Sequence, residues 1–482
     1  MGFKKTFLKN ASAYGGYSYL SWFFDTLVST IILSRFLGPS EYGFVALISV
    51  FSGFVLMFAD TGLSFAVIRS DYGLKYHKIV FNLTIWVGVF LCLILCLLAY
   101  PITLIYEKPA LFWPTIVIST QFLTNSINIV PLAILRKKLE FRFIGFLNFI
   151  AVVFTITLMI ILAVLGFSYW SLILPLIVKP IFRHFFLERK LKFGVHFYGW
   201  KLTRLGIKKT RSLLESVSIF NVINYFARNA DNFAIGKFYG EANLGLYDRA
   251  YKFLYMARRL INSTIGPVLF PSLVDIKSKG EEYRQHFLDI LGMLNVFNIF
   301  IAVPLMLLAK PIALILWGQD WIGVAEYMPY IGAIIPLQTL LIAVMDLYVV
   351  ENREKALLSL GIPMQLILVS GIVAGAFFSA LHIVRGYAIA FIFVQTPVSL
   401  YFGHYRILKF RPKQIFRFWV PKVILTGGFI FSIWFGNKTI TAILSALFIL
   451  DTFISQGKDL LNLFIALKKR VITFKNRSKK RQ

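Results

Sequence analysis

Apolar runs of about twenty residues recur from one end of this chain to the other. A helix needs about 20 apolar residues to cross the roughly 30 Å hydrocarbon core of a bilayer. No water is present in that core to satisfy backbone N–H and C=O groups, so each run must be helical. Hydrophobic residues make up 58% of the 482 residues and charged residues only 15%, well below the roughly 25% of a soluble domain. The chain is therefore predicted to be an all-α integral membrane protein.

The runs predict about fourteen transmembrane helices. The predicted spans are 13–34, 42–68, 79–105, 112–135, 145–166, 168–187, 213–236, 246–273, 288–316, 325–349, 356–378, 383–404, 416–435 and 439–456. The last is the weakest, because Asp451 and the polar SQGKD stretch are expected to truncate it. An interfacial segment is the alternative for that run.

Basic residues give the predicted orientation, because Lys and Arg collect on the cytoplasmic side of membrane proteins. Alternate connections are short and poor in basic residues, whereas those between them are rich in Lys and Arg, as in 69–78, 136–143, 183–192 and 404–413. Both termini are therefore predicted to be cytoplasmic. The net charge of +29 reflects this bias, and no nucleic-acid partner is expected.

A repeated turn suggests that the chain has two related halves. The sequence RFLG (35–38) is followed by Gly43, and KFYG (237–240) is followed by Gly245, at an offset of 237 − 35 = 202 residues. Each copy joins an odd-numbered span to an even-numbered one on the predicted outer side. We predict two pseudo-symmetric six-helix lobes, an amphipathic cytoplasmic linker, and two peripheral helices with a basic tail. Their bounds are 1–187 and 213–410 for the lobes, 188–212 for the linker and 411–482 for the rest.

Three motifs carry a family resemblance: LSRFLGPSEYG (33–43), FADTGLSFAVIR (58–69) and NYFARNADNFAIGKFYGEANLGLYDRAYKF (224–253). They closely resemble the Wzx-type polysaccharide and O-antigen repeat-unit flippases, and most of all the colanic-acid-exporter-like branch. These belong to the multidrug/oligosaccharidyl-lipid/polysaccharide exporter superfamily. The resemblance covers about residues 1–410 and leaves the two peripheral helices without support.

The resemblance implies a transporter of the bacterial inner (plasma) membrane that alternates between inward-open and outward-open states. It implies that an undecaprenyl-diphosphate-linked oligosaccharide moves from the inner to the outer leaflet. Membrane lipids, a polysaccharide polymerase and the chain-length machinery are the other expected partners. No cofactor is expected beyond H⁺ or Na⁺ as a coupling ion.

Charged and amide side chains inside spans are the candidate site, because a buried charge is costly unless it faces a cavity or a partner. The seventh and eighth predicted spans are the richest. Arginine offers a planar fork for the oxygens of a diphosphate, and amides and the ring of Tyr225 suit sugars. The predicted substrate-binding residues are Asn221, Asn224, Arg228, Arg249, Lys252, Arg258 and Arg259.

Some of these residues have a structural alternative. Arg228 could instead form a packing pair with Asp231, three residues on. Arg249 and Lys252, near the outer end of their span, could reach the headgroups. The tryptophans near turns are expected in the interfacial aromatic belt; they are Trp113, Trp170, Trp317 and Trp321.

The first lobe contains a second set of candidates. Asp25 could bind a coupling H⁺ or Na⁺, although nearby hydroxyls such as that of Ser21 could instead satisfy a purely structural carboxylate. Asp60 and Asp231 are candidate gate residues. Further polar candidates in this lobe are Gln121, Asn125, Asn128 and Arg136.

Two other functions stay open at this stage. An ion-coupled exporter of drugs or metabolites would favour acidic residues in its cavity, whereas these spans favour Arg and Lys. A membrane polymerase or glycosyltransferase would need a long outer loop with acidic or metal-binding residues, and the outer turns are short. We therefore predict a transporter without catalytic residues or a metal site, and interpret Cys92 and Cys96 as apolar fillers.

Overall fold

The structure is a computed structural model that describes residues 3–59, 62–69, 73–194, 219–264 and 281–454. The regular structure in these ranges is helical, which confirms the predicted all-α class. Ten of the described helices are long and apolar enough to cross a membrane. The number of spans, about fourteen, and the cytoplasmic position of both termini stay predictions.

The helices before the central linker include one short interruption by a π-helical turn, Phe24–Val28, between α1 and α2. They are α1 (Phe3–Phe23), α2 (Ser29–Leu33), α3 (Pro39–Leu56), α4 (Leu63–Arg69), α5 (Leu74–Tyr106), α6 (Phe112–Ser119), α7 (Gln121–Lys137), α8 (Phe141–Val164) and α9 (Trp170–Leu191). The linker 188–212 lies mostly outside the described residues, which resume at 219.

The helices after the linker include a broken one, α11, in which Gly240 has a φ of 82° that only glycine adopts easily. They are α10 (Ile219–Arg228), α11 (Ala230–Thr264), α12 (Glu281–Leu307), α13 (Ala309–Leu316), α14 (Val324–Val350), α15 (Glu354–Ala376), α16 (Ala380–Ile389), α17 (Pro412–Trp434) and α18 (438–454). Helix α16 continues with π-helical segments as far as Ile407.

Several predicted spans differ from the helices that form, as three examples show. The span 42–68 is interrupted, because α3 ends at Leu56 and Gly62 has a left-handed φ of 88° just before α4. The span 288–316 is divided between α12 and α13. In the last span Asp451 lies inside α18 instead of truncating it, and its carboxylate is 3.5 Å from the Lys422 ammonium.

The chain divides into two compact units. The first comprises Met1–Leu246 with Leu314–Ile322, and the second comprises Tyr247–Ala313 with Gly323–Gln482. In the first unit α1 packs on α8, while α9 packs on both α7 and α8. In the second, α12 packs on α14 and α15 packs on α16. The pseudo-symmetric lobes 1–187 and 213–410 stay a prediction.

The two copies of the repeated turn lie in the first unit and contact each other. A Cβ atom on Gly43 would overlap the backbone of Glu241, and a Cβ atom on Gly245 would overlap the backbone of Pro39. The glycine after each turn therefore admits the backbone of the opposite copy. This reciprocal contact gives a steric reason for the same residue, at the same spacing, in both copies.

Trp321 does not lie in an interfacial belt. It is fully buried in the first unit, its indole Nε1–H donates to the Ser34 carbonyl at 3.1 Å, and its ring meets that of Tyr42 edge to face. Trp317 is buried as well. Both indoles therefore pack inside the protein, which corrects the sequence-based expectation.

Candidate functional site

Three cations of the first unit, on α7 and α9, are linked by electrostatic interactions. Lys179 and Arg183 are four residues apart, so both project from the same face of α9. Arg183 interacts electrostatically with Arg136 at the end of α7, and Lys179 interacts with Arg183. The Nε atom of Arg183 is buried and has no hydrogen-bond partner in the described part of the chain. We call Arg136, Lys179 and Arg183 the α9 cationic cluster.

An amide hydrogen bond holds α9 beside α7 at this level. The Asn128 side-chain amide donates to the Pro180 carbonyl at 2.9 Å and to the Thr124 carbonyl at 3.1 Å. One turn further along α9, the His184 ring interacts with the backbone of Ile127 on α7. Asn128, a first-lobe candidate, therefore has a positioning role next to Lys179.

Asp25 is the carboxylate that accompanies this cluster. It is exposed, lies in the π-helical turn between α1 and α2, and interacts electrostatically with Lys179. The Ser21 hydroxyl, which could have satisfied Asp25, donates instead to the Tyr17 carbonyl at 2.7 Å. Asp25 thus acts on one of the three cations, Lys179.

Like charges held together raise the free energy of the site unless an anion offsets them. Guanidinium groups bind phosphate oxygens through paired N–H donors, and an ammonium adds a point charge. An anion with several oxygens therefore matches this cluster, whereas an organic cation does not.

The predicted residues of the first unit do not all reach one place. Arg228 is exposed at the end of α10 and forms no hydrogen bond or ion pair with a described residue, so the packing pair with Asp231 is not formed. Asp231 is buried and accepts the backbone N–H of Asn232 at 2.8 Å near the start of α11. The side chain of Asn221 and the whole of Asp60 lie outside the described residues.

Tyr225 and Asn224 lie on α10. The Tyr225 hydroxyl donates to the Val50 carbonyl on α3 at 2.7 Å, and its ring meets that of Phe54. The hydroxyl therefore joins α10 to α3, which was not expected of a residue proposed to contact sugars. Asn224 is half-buried.

The remaining predicted cations lie in the second unit. Arg249 is 0% exposed, so it does not reach the headgroups as the sequence allowed. Lys252 is 3.7 Å from Asp248, one helical turn earlier. The Nε atom of Arg258 is buried with no hydrogen-bond partner in the described part of the chain, whereas Arg259 is exposed.

Sequence reasoning missed Lys179 and Arg183. Arg183 was assigned to the cytoplasmic segment 183–192, and Lys179 was not singled out although it lies within the predicted span 168–187. A lysine inside a span is itself a signal of a cavity or a partner. Its four-residue spacing to Arg183 would have indicated a shared helix face.

The turns at the predicted outer side of the first unit are joined by polar contacts. The Lys237 ammonium lies 2.6 Å from Glu107, Lys108 pairs with Glu241, and the Arg35 guanidinium donates to the Ile315 carbonyl at 3.2 Å. The hydrogen bond and charge of Lys237 lower the pKa of the Glu107 carboxyl, so this ion pair is intact at neutral pH. We call these three contacts the outer clasp.

Comparison with known proteins places the chain in a family. Residues 32–326 match the family described as polysaccharide biosynthesis protein. The chain is 23% identical over 340 residues to the lipopolysaccharide biosynthesis protein WzxC of Escherichia coli K12, covering 69% of this chain and 65% of WzxC. It is 24% identical over 295 residues to the succinoglycan biosynthesis transport protein ExoT of Rhizobium meliloti 1021, covering 61% of this chain and 59% of ExoT. Each match spans less than two thirds of the relative.

Among solved structures, the fold is similar to that of the lipid II flippase MurJ in an inward closed conformation. The TM-score is 0.68 at 14% identity, and the match covers 94% of this chain and 100% of MurJ. At this identity the likeness shows a shared fold and nothing more specific. The ten candidate spans and the similarity to membrane proteins make this chain a multi-pass protein of the bacterial inner membrane. The family model spans more than half of the length of this chain. The chain therefore belongs to the family of polysaccharide biosynthesis proteins, which confirms the Wzx-type resemblance.

Proposed function

We propose that this protein moves undecaprenyl-diphosphate-linked oligosaccharide repeat units from the inner to the outer leaflet. The observation that carries the proposal is the α9 cationic cluster, three cations of which Lys179 interacts with the carboxylate of Asp25. The family match and the transport named for ExoT support it. The fold shared with MurJ, a lipid II flippase, is compatible with it.

In this proposal the diphosphate binds the α9 cationic cluster. Arg136 and Arg183 each offer paired N–H donors to the phosphate oxygens, and Lys179 adds a third charge. Binding of the anion removes the repulsion among the three cations. The buried Nε of Arg183 then has the hydrogen-bond acceptor that the described residues do not provide.

Alternating access is the mechanism we propose for the movement. The outer clasp and the reciprocal glycine contact hold the turns of the first unit together at the predicted outer side. Release of the diphosphate to the outer leaflet would require these contacts to open. Asp25 is the proposed coupling residue, because an H⁺ or Na⁺ bound there would weaken its attraction to Lys179.

The test is complementation of a bacterial strain that lacks its repeat-unit flippase, with cell-surface polysaccharide as the readout. We expect polymer with the wild-type chain and its loss, by at least tenfold, with Arg183→Gln or Lys179→Gln. The matched control is Arg189→Gln, which removes one charge from the same helix at an exposed position over the Phe185 ring. Protein abundance in the membrane is measured for each variant.

Polymer at the control level in both cluster variants would contradict the diphosphate site. No polymer from well-expressed wild-type protein, with several repeat units, would favour the ion-coupled exporter of small molecules. Nothing described of the cluster favours that alternative, because a site for organic cations needs an excess of acidic groups.

A further inference from the structure

A pocket of about 560 Å³ opens where α1 passes the turn between α7 and α8. This volume lies within the roughly 300–1,000 Å³ of small-molecule sites. Its lining includes Tyr17, Lys138, Glu140, Arg142, Phe143 and Phe146. We call it the turn pocket. None of these residues belongs to the α9 cationic cluster or to the outer clasp.

The backbone around the turn pocket is closely packed. Helix α7 ends at Lys137, and Leu139 then adopts a left-handed φ of 56°. The Glu140 N–H closes the turn by donating to the Leu135 carbonyl at 3.0 Å. On the opposite wall, a Cβ atom on Gly145 would lie only 3.1 Å from the Cβ of Tyr17. The Tyr17 ring also meets the Phe146 ring edge to face, with centroids 5.7 Å apart. The pocket is therefore formed before any ligand arrives.

The charges of the turn pocket are not balanced within it. Its carboxylate, Glu140, is 3.5 Å from the Lys190 ammonium, which also lies 5.4 Å from the centre of the Phe143 ring. Lys138 and Arg142 are exposed, and neither forms a hydrogen bond or an ion pair with another described residue. The pocket thus presents two exposed cations that pair with no carboxylate in the described part of the protein.

The surroundings of these cations indicate a lipid. The turn belongs to the basic segment 136–143, predicted to be cytoplasmic. Tyr and Phe side chains beside it, with Phe146 44% exposed, are typical of the level where headgroups meet acyl chains. Basic pockets between transmembrane helices on the cytoplasmic side are suited to phosphate headgroups.

From these observations we propose that the turn pocket binds the phosphate headgroup of a membrane lipid in the cytoplasmic leaflet. Lys138 and Arg142 contact the phosphate, the Tyr17 hydroxyl donates to it, and the lipid chain follows Phe146. This site is separate from the proposed transport function and stands whether or not that function is correct. The same headgroup chemistry is found in anionic phospholipids and in isoprenyl diphosphates.

The experiment is native mass spectrometry of the full chain in detergent, titrated in turn with phosphatidylglycerol, undecaprenyl diphosphate and phosphatidylethanolamine. We compare the wild type with Lys138→Gln/Arg142→Gln. One basic residue near the surface contributes about fivefold to binding of an anionic lipid, so the double variant should bind roughly thirtyfold more weakly. Phosphatidylethanolamine should bind weakly to both proteins.

The matched control is Arg353→Gln/Lys355→Gln, which removes the same charge at two exposed positions at the start of α15. Tyr17→Phe keeps the packing ring, removes only the hydroxyl, and should weaken binding severalfold even if the double variant proves unstable. Weakened binding of phosphatidylglycerol alone identifies a structural phospholipid. Weakened binding of undecaprenyl diphosphate identifies a loading site for that lipid.

Two results would overturn the turn pocket as a lipid site. One is unchanged affinity for both anionic lipids in the double variant and in Tyr17→Phe. The other is an equal loss of affinity in the Arg353→Gln/Lys355→Gln control, because this would show that overall charge, and not the pocket, attracts the lipid.

Discussion

An intramembrane charge becomes informative once its neighbours are known. Lys179 alone is a lysine in an apolar helix, but beside Arg183 and Asp25 it belongs to a group with two like charges and one opposite charge. Arg249 shows the reverse, because its complete burial excludes the headgroup contact that its place in the sequence allowed. At the residue scale, the sequence identifies candidate site residues, and the packing around each one shows which role it can have.

Replacing Asp25 tests whether it couples transport to an ion. Asp25→Asn removes the carboxylate charge but keeps the shape of the side chain. We expect transport in membrane vesicles to lose its dependence on an imposed H⁺ or Na⁺ gradient, because the attraction to Lys179 no longer changes with ion binding.

Asp25→Glu serves as the conservative control for that experiment and should keep the gradient dependence. Transport by Asp25→Asn that responds to both gradients as the wild type does would remove Asp25 from the coupling step.

The sequence identified two of the four residues that form the α9 cationic cluster and its carboxylate. It pointed to Asp25 and Arg136, and both lie at or beside the described cluster. It missed Arg183, because a basic residue near the predicted end of a span looks like a cytoplasmic anchor until the helix is seen to continue to Leu191. Side-chain partners such as that of Tyr225 depend on which helix lies opposite, and spacing along one chain does not contain that information.

At the scale of single helices, a buried lysine shows how a charged side chain is accommodated in an apolar helix. Lys422 of α17 is 1% exposed, donates to the Phe418 carbonyl at 2.9 Å, and lies over the Phe418 ring. Its counter-charge is Asp451 of α18 at 3.5 Å. The pair therefore fastens the last described helix to the one before it.

We expect Lys422→Met alone to lower the free energy of unfolding by about 3 kcal/mol, because it leaves a partly buried carboxylate without its cation. The double variant Lys422→Met/Asp451→Leu should recover most of that loss, since an apolar pair can replace a buried ion pair. Unfolding by SDS, followed by circular dichroism, measures both.

Lys413→Met is the control for the ion-pair experiment, because Lys413 is exposed at the start of the same helix. A double variant that is no more stable than Lys422→Met would show that the ion pair is not what fastens α18 to α17.

The reciprocal contact of Gly43 and Gly245 also concerns how helices pack. Gly43→Ala or Gly245→Ala places a methyl group against a backbone that cannot yield easily, and such overpacking costs about 1–3 kcal/mol. Each variant should unfold at a lower SDS fraction than the wild type.

Gly16→Ala is the matched substitution, because a Cβ atom there meets nothing within 4 Å and alanine favours a helix over glycine by about 1 kcal/mol. If Gly43→Ala and Gly245→Ala were as stable as Gly16→Ala, the two repeat copies would not be held in backbone contact.

For the whole molecule, alternating access requires the outer clasp to open. The probe is Glu107→Cys/Lys237→Cys in a background of Cys92→Ala/Cys96→Ala, joined by a short reducible bis-thiosulfonate linker. The two side chains lie 2.6 Å apart at their tips, so the linker fits the closed clasp. We expect cross-linking to abolish transport in vesicles and reductant to restore it.

Either single-cysteine variant, treated in the same way, should transport normally. Undiminished transport with the clasp fully cross-linked would mean that these turns stay together throughout the cycle, and the outward path would have to be sought elsewhere.

The apolar runs predicted the all-α membrane class correctly, because the length of such a run is set by bilayer thickness. It did not predict the break at Gly62, since a glycine in an apolar run has no signature that separates a bend from a continuous helix. Nor did it predict that the copies of the repeated turn would contact each other, although their equal spacing was visible.

The π-helical turn at Phe24–Val28 adds a geometric freedom to the first helix. Its hydrogen bonds link residues five apart instead of four, so the turn contains one residue more than an α-helical turn would. Tightening this turn to α geometry would rotate the preceding helix by about 100° relative to α2 and leave the backbone bonds nearly intact. Asp25 lies in that turn, so a rotation of α1 about its axis would change the direction from the Asp25 carboxylate to Lys179. No residue would need to unfold for this change.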